Sequence, residues 1–568
     1  MGTTEQGGSF FSVNRTTLKW LIFIFVIALL VRIPGITWGF GAFGEQRIYN
    51  QVDELVQIRI AKESLAHWGF DIKDYQECHA YSCMQWYVRF YADQAAILSI
   101  PILGLQALIP RIGAIPFNGL LYIPGRLLSV LYGAATCLLV FFIVRYLTKR
   151  DWAGLVGAAL FAFVNLDVIN SMVMKPHTIM NFFWFLGICL MFIYWKRMDF
   201  RAAALILSVA TLTFSSKFGI EPFFWVLPIL YLAYKQKKLS WKWLLLPVLL
   251  FVVFEAANGF EYTPARFNFA LDQLGIHKNI DPNTGLKLPA GSPGTTPLGG
   301  IPSFNHWLNP IMYIIALIPG VGIPMFILGI VGTILILRNK EHRWQYALIV
   351  LVPFALLIGR LSLGTATFER FVHPITPVFA IGTAYFFYAL WQRASTPAFS
   401  RGVKILLAIV LVYSFGLVAF TEYYYVHDTR LEAGDWIQQH VPTSVGITAP
   451  GTTSVIAIPS GYHVLATIHA YSLQPVLALQ ESVYNRYTKS FTTPFKVPHC
   501  CDEVYNCLME QCQIIQPLFY GKTDYALAAI FTYDHPYPEM RLFKNYFGSY
   551  ESFIGDYRIY VKQGTQLA

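Results

Sequence analysis

Apolar residues in the first three quarters of this chain gather into long unbroken runs, without the alternation with polar positions that marks a half-buried soluble element. Runs of about 18 to 25 residues are long enough to cross roughly 30 Å of hydrocarbon as helices, the form in which a single segment satisfies its own backbone in lipid. The pattern predicts eleven spans, at 19–37, 121–146, 153–172, 178–195, 201–216, 221–234, 241–258, 311–337, 344–360, 371–391 and 403–421. A further apolar stretch, 96–112 (AILSIPILGLQALIPRI), is bracketed by Pro101 and Pro110 around a short core and reads as interfacial; if it spanned, all downstream topology would invert. After residue 421 the rhythm changes. A helix-like opening, DTRLEAGDWIQQHVP, is followed by short β-branched runs, SVGITA and SVIAI, and the chain closes on YRIYVK. The expected fold is therefore a polytopic all-α membrane bundle of about eleven helices over 1–421, with a long first loop at 38–120 and a second at 259–310. A small α/β domain follows over 422–568.

Composition fits the bundle and excludes a soluble protein of this size: 55% hydrophobic, 13% charged and 16% aromatic residues. Charge adds an orientation. Arg15, Lys19, Lys149, Arg150, Lys196, Arg197, Arg201, Lys235, Lys237, Lys238, Lys242, Arg338, Lys340, Arg343, Arg393, Arg401 and Lys404 all fall in turns on one side of an eleven-span topology. By the positive-inside rule that side is cytoplasmic, which puts the tail outside. The formal net charge of +10 follows from topology and gives no reason to expect a nucleic-acid partner. The first span follows a basic segment without a small-residue cleavage site and reads as a retained signal anchor. Cys78, Cys83, Cys500, Cys501, Cys507 and Cys512 all fall on the outer side, where three disulfides are permitted; the competing metal reading of CC-x5-C-x4-C fits no common zinc spacing.

The second loop is rich in Gly and Pro (DPNTGLKLPAGSPGTTPLGGIP) and is expected to drape over the membrane domain. Asp53 and Glu54 stand in NQVDELVQIRIAKESLAHW, whose apolar spacing predicts an amphipathic surface helix; adjacent carboxylates there are by default a solvated face. The intraspan acids Asp167 and Glu255 both sit toward outer ends.

Several segments together resemble the C-type membrane glycosyltransferases, and specifically the branch with protein O-mannosyltransferases and the aminoarabinose transferases that modify lipid A. They are a first span ending in Arg, an acidic pair in the following outer loop, and IPGRLLSVLYGAATCLLVFFIVRYLTKR. MKPHTIMNFFWFLGICLMFIYWK, SVATLTFSSKFGIEPFFWVLPILYLAY and ERFVHPITPVFAIGTAYFF follow in the family's order, the last with Arg-x-x-x-Pro-x-x-Pro. The tail opening is similar to that of bacterial members.

The resemblance implies an inverting transfer of a sugar from a polyprenyl phosphate, dolichyl or undecaprenyl, to an extracytoplasmic acceptor on protein, lipid or glycan. Asp53 matches the base, with Glu54 second. Arg126, Lys217 and Arg370 are the candidates to hold the donor phosphate, with Lys175 and His373 assisting. Their bland readings are a turn cap for Lys217, a snorkelling Arg370 and a hydrogen-bonded structural His373. His277 and His306 are weaker candidates. Where many relatives carry an acidic residue after Lys-Pro, this chain has His177 in MKPHT, so a divalent cation (Mg or Mn) is left without assigned ligands. The expected location is a bacterial plasma membrane, with the endoplasmic reticulum as alternative. A transporter or flippase of lipid-linked sugars, and a non-catalytic accessory subunit, are the competing functions. A transporter should carry functional polar groups near the midplane and related halves.

Overall fold

The computed structural model describes residues 13–38, 52–70, 72, 89–108, 117–217, 220–258, 301–302, 309–362, 366–367 and 369–450. In the tail it describes 458, 461–465, 468, 473–481, 484, 488, 509–547 and 555–567. The membrane part comprises α1 (Arg15–Arg32), α2 (Val52–His67), α3 (Arg89–Leu108), α4 (Phe117–Thr148), α5 (Asp151–Ala162), α6 (Asn165–Ser171), α7 (His177–Tyr194) and α8 (Phe200–Lys217). It continues through α9 (Val226–Lys235), α10 (Leu246–Asn258), α11 (Asn309–Val321), α12 (Ile323–Arg338), α13 (Arg343–Ser362), α14 (Thr376–Gln392) and α15 (Pro397–Val426).

Among the described residues, seven helices are long and apolar enough to cross a membrane, or nine if two bent pairs each count as one span. The chain is thus built to cross a membrane several times, but the count of eleven is not reached. Two expected spans are helical yet short: α8, and α9 with the 3-10 turn Glu221–Trp225 before it. The bent pairs change two other expectations. Residues 153–172 form α5 and α6, meeting at 60°, and 311–337 form α11 and α12, meeting at 114°. The second break has a local cause in Gly322, whose φ of +83° suits glycine, followed by Pro324 in the first turn of α12. Of the stretch expected at the interface, residues 96–108 belong to α3, which is not among the candidate spans of the described residues, and 109–112 lie outside the described residues.

Polar contacts gather at two ends of the bundle. At one end Asp151 accepts from Thr17 (2.9 Å) and pairs with Arg145 (2.7 Å), Tyr146 donates to Gln345 (3.4 Å), and Asn339 donates to Tyr385 (3.1 Å). At the other end lie Arg32, Arg126, Asp167 and the start of the tail. The helices between them pack closely: a Cβ on Gly332 would collide with the Gly382 backbone, and one on Gly382 with that of Gly329. These glycines let α12 and α14 approach backbone to backbone.

Two short strands, β1 (Ile301–Pro302) and β2 (Ala366–Thr367), pair antiparallel, and the tail carries α16 (Thr429–His440), α17 (Met509–Phe519) and α18 (Pro538–Phe547) around strands β3 (Ile447–Thr448), β4 (Val464–Leu465), β5 (Val476–Gln480), β6 (Tyr525–Phe531) and β7 (Tyr557–Lys562). Strand order is β4-β3-β5-β7-β6, parallel among β4, β3 and β5 and antiparallel from β5 onward. Ala433 and Ile437 of α16 cover one face and Ile515 and Leu518 of α17 the other. The predicted strands at SVGITA and YRIYVK form; of SVIAI, residues 454–457 lie outside the described residues. Cys512 is disulfide-bonded, Cys137 and Cys189 are buried thiols, and the other five outer cysteines lie outside the described residues.

Tyr533, Met540 and Phe543 of the tail join the core of the membrane bundle. Glu539 accepts from Tyr413 (2.8 Å), and His535, 1% exposed, meets Thr421 at 3.3 Å. Burial among the rings of Phe420, Tyr424 and Tyr537 drives the His535 pKa down from the usual 6.5 to about 4, with Arg541 lowering it further while Asp534 opposes. The docked state thus holds His535 neutral, and its contribution is complete above pH 6.5 and lost as pH falls toward 4. We predict that tail stability falls over this window by up to about 3 kcal/mol, and that His535→Phe flattens the dependence. Thermal unfolding of the native and variant chains between pH 7.5 and 4 checks this; parallel curves would contradict it.

Candidate active site

The acidic pair opens α2, where unsatisfied backbone N–H groups favour negative charge. This helix is not a solvated amphipathic surface element. Glu54, Gln57, Ile58, Ile60, Ala61, Lys62, Glu63, Ser64 and Leu65 are all buried, packed with α3 and α4. Two of its polar positions are met by Arg89, which donates to Glu63 (3.1 Å) and Ser64 (2.6 Å) and pairs with Asp93 of α3 at 3.7 Å.

Glu54 and Arg126 meet each other at the centre of this packing, both fully buried. Arg126 Nε and Nη2 donate to the two Glu54 oxygens at 3.1 and 3.2 Å, and Glu54 Oε1 also accepts the backbone N–H of Met174 at 2.6 Å. Nη1 of Arg126 donates to the carbonyls of Ile36 and Trp38, each at 2.7 Å. One guanidinium thereby ties together the end of α1, the start of α2, the Pro124 turn of α4 and the segment before α7. Gly125 makes this possible, because a Cβ there would strike the Met174 side chain. In this geometry Glu54 and Arg126, expected as second base and as a phosphate contact, carry their charge against each other. Asp53 shares the first turn of α2 with Glu54, so its backbone is held by the same lock; its side chain lies outside the described residues.

A second buried set lies alongside. Asp167 Oδ2 accepts from Arg32 Nη2 at 2.6 Å, and Asp167 Oδ1 meets His373 Nε2 at 2.7 Å, with Asn181 Nδ2 3.4 Å from both Asp167 Oδ1 and His373 Nε2. His373 therefore has the structural, hydrogen-bonded setting that sequence reading offered as its alternative. It anchors the 3-10 turn Glu369–Ile375, which holds Arg370, buried with its guanidinium 5.5 Å over Phe371. Phe371 in turn stacks on His177 at 6.4 Å. Lys175 and His177, at the joint between α6 and α7, are both buried. The structure thus brings His177, Arg370 and His373 to one locality beside Asp167. Lys217 ends α8, with its side chain outside the described residues, as are His277 and His306.

Arg32 and Asn181 were not singled out as site residues by sequence. Each breaks an apolar run, Asn181 within HTIMNFFWF, and that interruption was the available signal. As for a cation, among the described residues no three His, Cys, Asp or Glu side chains converge to hold a metal, and Glu54 and Asp167 are each neutralised by an arginine. The described carboxylates do not fit Mg or Mn, and no step is routed through one.

No protein-family model matches the chain, and no curated protein matches it. Among solved structures, it matches the Archaeoglobus fulgidus oligosaccharyltransferase AglB, in complex with an inhibitory peptide and a dolichol-phosphate, with a TM-score of 0.51 at 11% identity, over 96% of this chain and 88% of that one. It also matches ArnT from Cupriavidus metallidurans in the apo state (TM-score 0.45, 12% identity, 79% and 84%). A third match is the mycobacterial arabinofuranosyltransferase AftD (TM-score 0.41, 12% identity, 98% and 40%). The chain has the fold of the C-type membrane glycosyltransferases.

Proposed function

We propose that this protein is an inverting glycosyltransferase that moves a sugar from a polyprenyl phosphate to an acceptor at the extracytoplasmic, tail-bearing face. The observation that supports the reading is the Glu54–Arg126–Met174 lock, which holds the backbone of the first turn of α2, to which Asp53 belongs. A structural carboxylate pinned by arginine beside a second carboxylate is an arrangement that positions a base. In the reaction, an acceptor hydroxyl attacks the anomeric carbon as Asp53 takes its proton. The bond from that carbon to the phosphate oxygen breaks, and the electron pair leaves with the polyprenyl phosphate. Arg370, with Lys175 and Lys217, offsets the charge of the leaving phosphate. Glu54 and Arg126 act as positioning residues, and Arg32, Asp167 and His373 hold the turn that presents Arg370.

This assignment is tested by native mass spectrometry of the chain in nanodiscs titrated with undecaprenyl phosphate or dolichyl phosphate. Binding is expected to weaken about 10- to 100-fold in Arg370→Gln, the scale of one charge-assisted contact. Binding unchanged in the variant removes Arg370 from the donor site, and binding of neither lipid by the native chain overturns the donor class.

A further inference from the structure

The fold leaves one set of buried contacts that the proposed reaction does not use, and it runs from the tail to the Glu54–Arg126 lock. Asp428 begins the tail. Its carboxylate caps α16 by accepting the Arg430 backbone N–H at 2.9 Å and pairs with the Arg430 side chain, Nη2 to Oδ2, at 2.5 Å. The same Oδ2 accepts the indole N–H of Trp38 at 2.7 Å, across 390 residues of sequence. Trp38 is 5% exposed and lies between two guanidiniums, that of Arg430 at 4.6 Å and that of Arg126 at 6.0 Å from its ring, with Tyr425 edge-on at 4.9 Å. Its backbone carbonyl is one of the two that hold Arg126 Nη1. Side chain to the tail and carbonyl to the lock, this residue is bonded to both.

From this geometry we propose that Trp38 and Asp428 are positioning residues through which docking of the tail sets the first turn of α2, so that the tail is part of the catalytic apparatus beyond any part it plays in acceptor choice. The physical argument is one of satisfiability. An indole has a single N–H, and in a buried site it must find an acceptor; Asp428 is that acceptor only while the tail is docked. Loss of the contact removes one side-chain anchor of residue 38 and loosens the backbone whose carbonyl fixes Arg126. Arg126 then loses one of the protein acceptors that orient it toward Glu54. The tail has separate attachments through Glu539–Tyr413 and His535–Thr421, so removing this one bond leaves the domain docked.

The proposal rests on the glycosyltransferase reading for its kinetic consequence but not for its structural one, and the test separates them. Trp38→Phe, which keeps a smaller aromatic ring and deletes the N–H, and Trp38→Leu, which removes ring and N–H together, are compared with the native full chain in nanodiscs. Hydrogen exchange is read by mass spectrometry at α2 and at 173–175, and sugar transfer from a polyprenyl-phosphate donor is followed in parallel. Both variants are expected to exchange faster at α2 and 173–175, with β6 and β7 still protected, and to lose kcat roughly tenfold or more at unchanged donor KM. Unchanged exchange at α2 would overturn the proposal and reduce Trp38 to a docking contact. Loosening of the whole tail along with α2 would also overturn it, because the bond would then be needed for docking itself. Faster exchange at α2 in a chain that transfers no sugar even when native supports the coupling and defeats the glycosyltransferase reading instead.

Discussion

Arg126→Met is expected to destabilise the folded chain by about 3–5 kcal/mol, the cost of leaving a buried carboxylate without its partner. Glu54 is fully buried, and after the substitution its remaining described contact is the Met174 N–H, one donor for a whole charge. The Ile36 and Trp38 carbonyls lose their donor in the same step. Adding Glu54→Gln to Arg126→Met should recover a good part of the loss, because a neutral amide costs less to bury than an unpaired carboxylate. Thermal unfolding of the two single variants and the double variant in nanodiscs measures this as a coupling energy. Additive losses would mean that the two residues do not depend on each other, and the positioning role given to them would have to be abandoned.

Asp53→Asn is expected to act on the opposite axis, lowering transfer by about 10²- to 10⁴-fold, the range supplied by a positioned general base, with little change in unfolding temperature or donor affinity. Asparagine preserves shape and cannot accept the acceptor's proton. The contrast with Glu54→Gln is the informative part. That variant should also slow transfer, but with a lowered unfolding temperature, because it weakens the lock. If Asp53→Asn kept a tenth or more of native turnover, the base would have to be sought elsewhere on the tail-side face.

Length and hydropathy carried the membrane architecture, because crossing a bilayer imposes a single strong constraint on every span. They said less where helices break. The 153–172 and 311–337 runs look continuous in hydropathy, and the Pro319, Gly320, Gly322 and Pro324 cluster hinted at the second bend; nothing comparable marks Phe163–Val164. At the site, adjacency misled in an instructive way. Asp53 and Glu54 look interchangeable on paper, yet only contact across 72 residues with Arg126 and 120 with Met174 gives Glu54 its separate role. The same holds for Arg126, which the motif resemblance gave to phosphate and which Glu54 and the carbonyls of Ile36 and Trp38 hold from separate parts of the chain. His373 and Asp167 were both visible as polar residues at span ends, but their union with Arg32 requires three helical elements to converge, which no local pattern encodes.

The most direct test of the central claim is mass spectrometry of lipid-linked sugars and of glycosylated acceptors in membranes that carry either the native chain or Asp53→Asn. The account predicts that the variant, folded and present at native level, accumulates one polyprenyl-phosphate sugar while one modified acceptor disappears. Identical lipid and acceptor pools in the two membranes would contradict it.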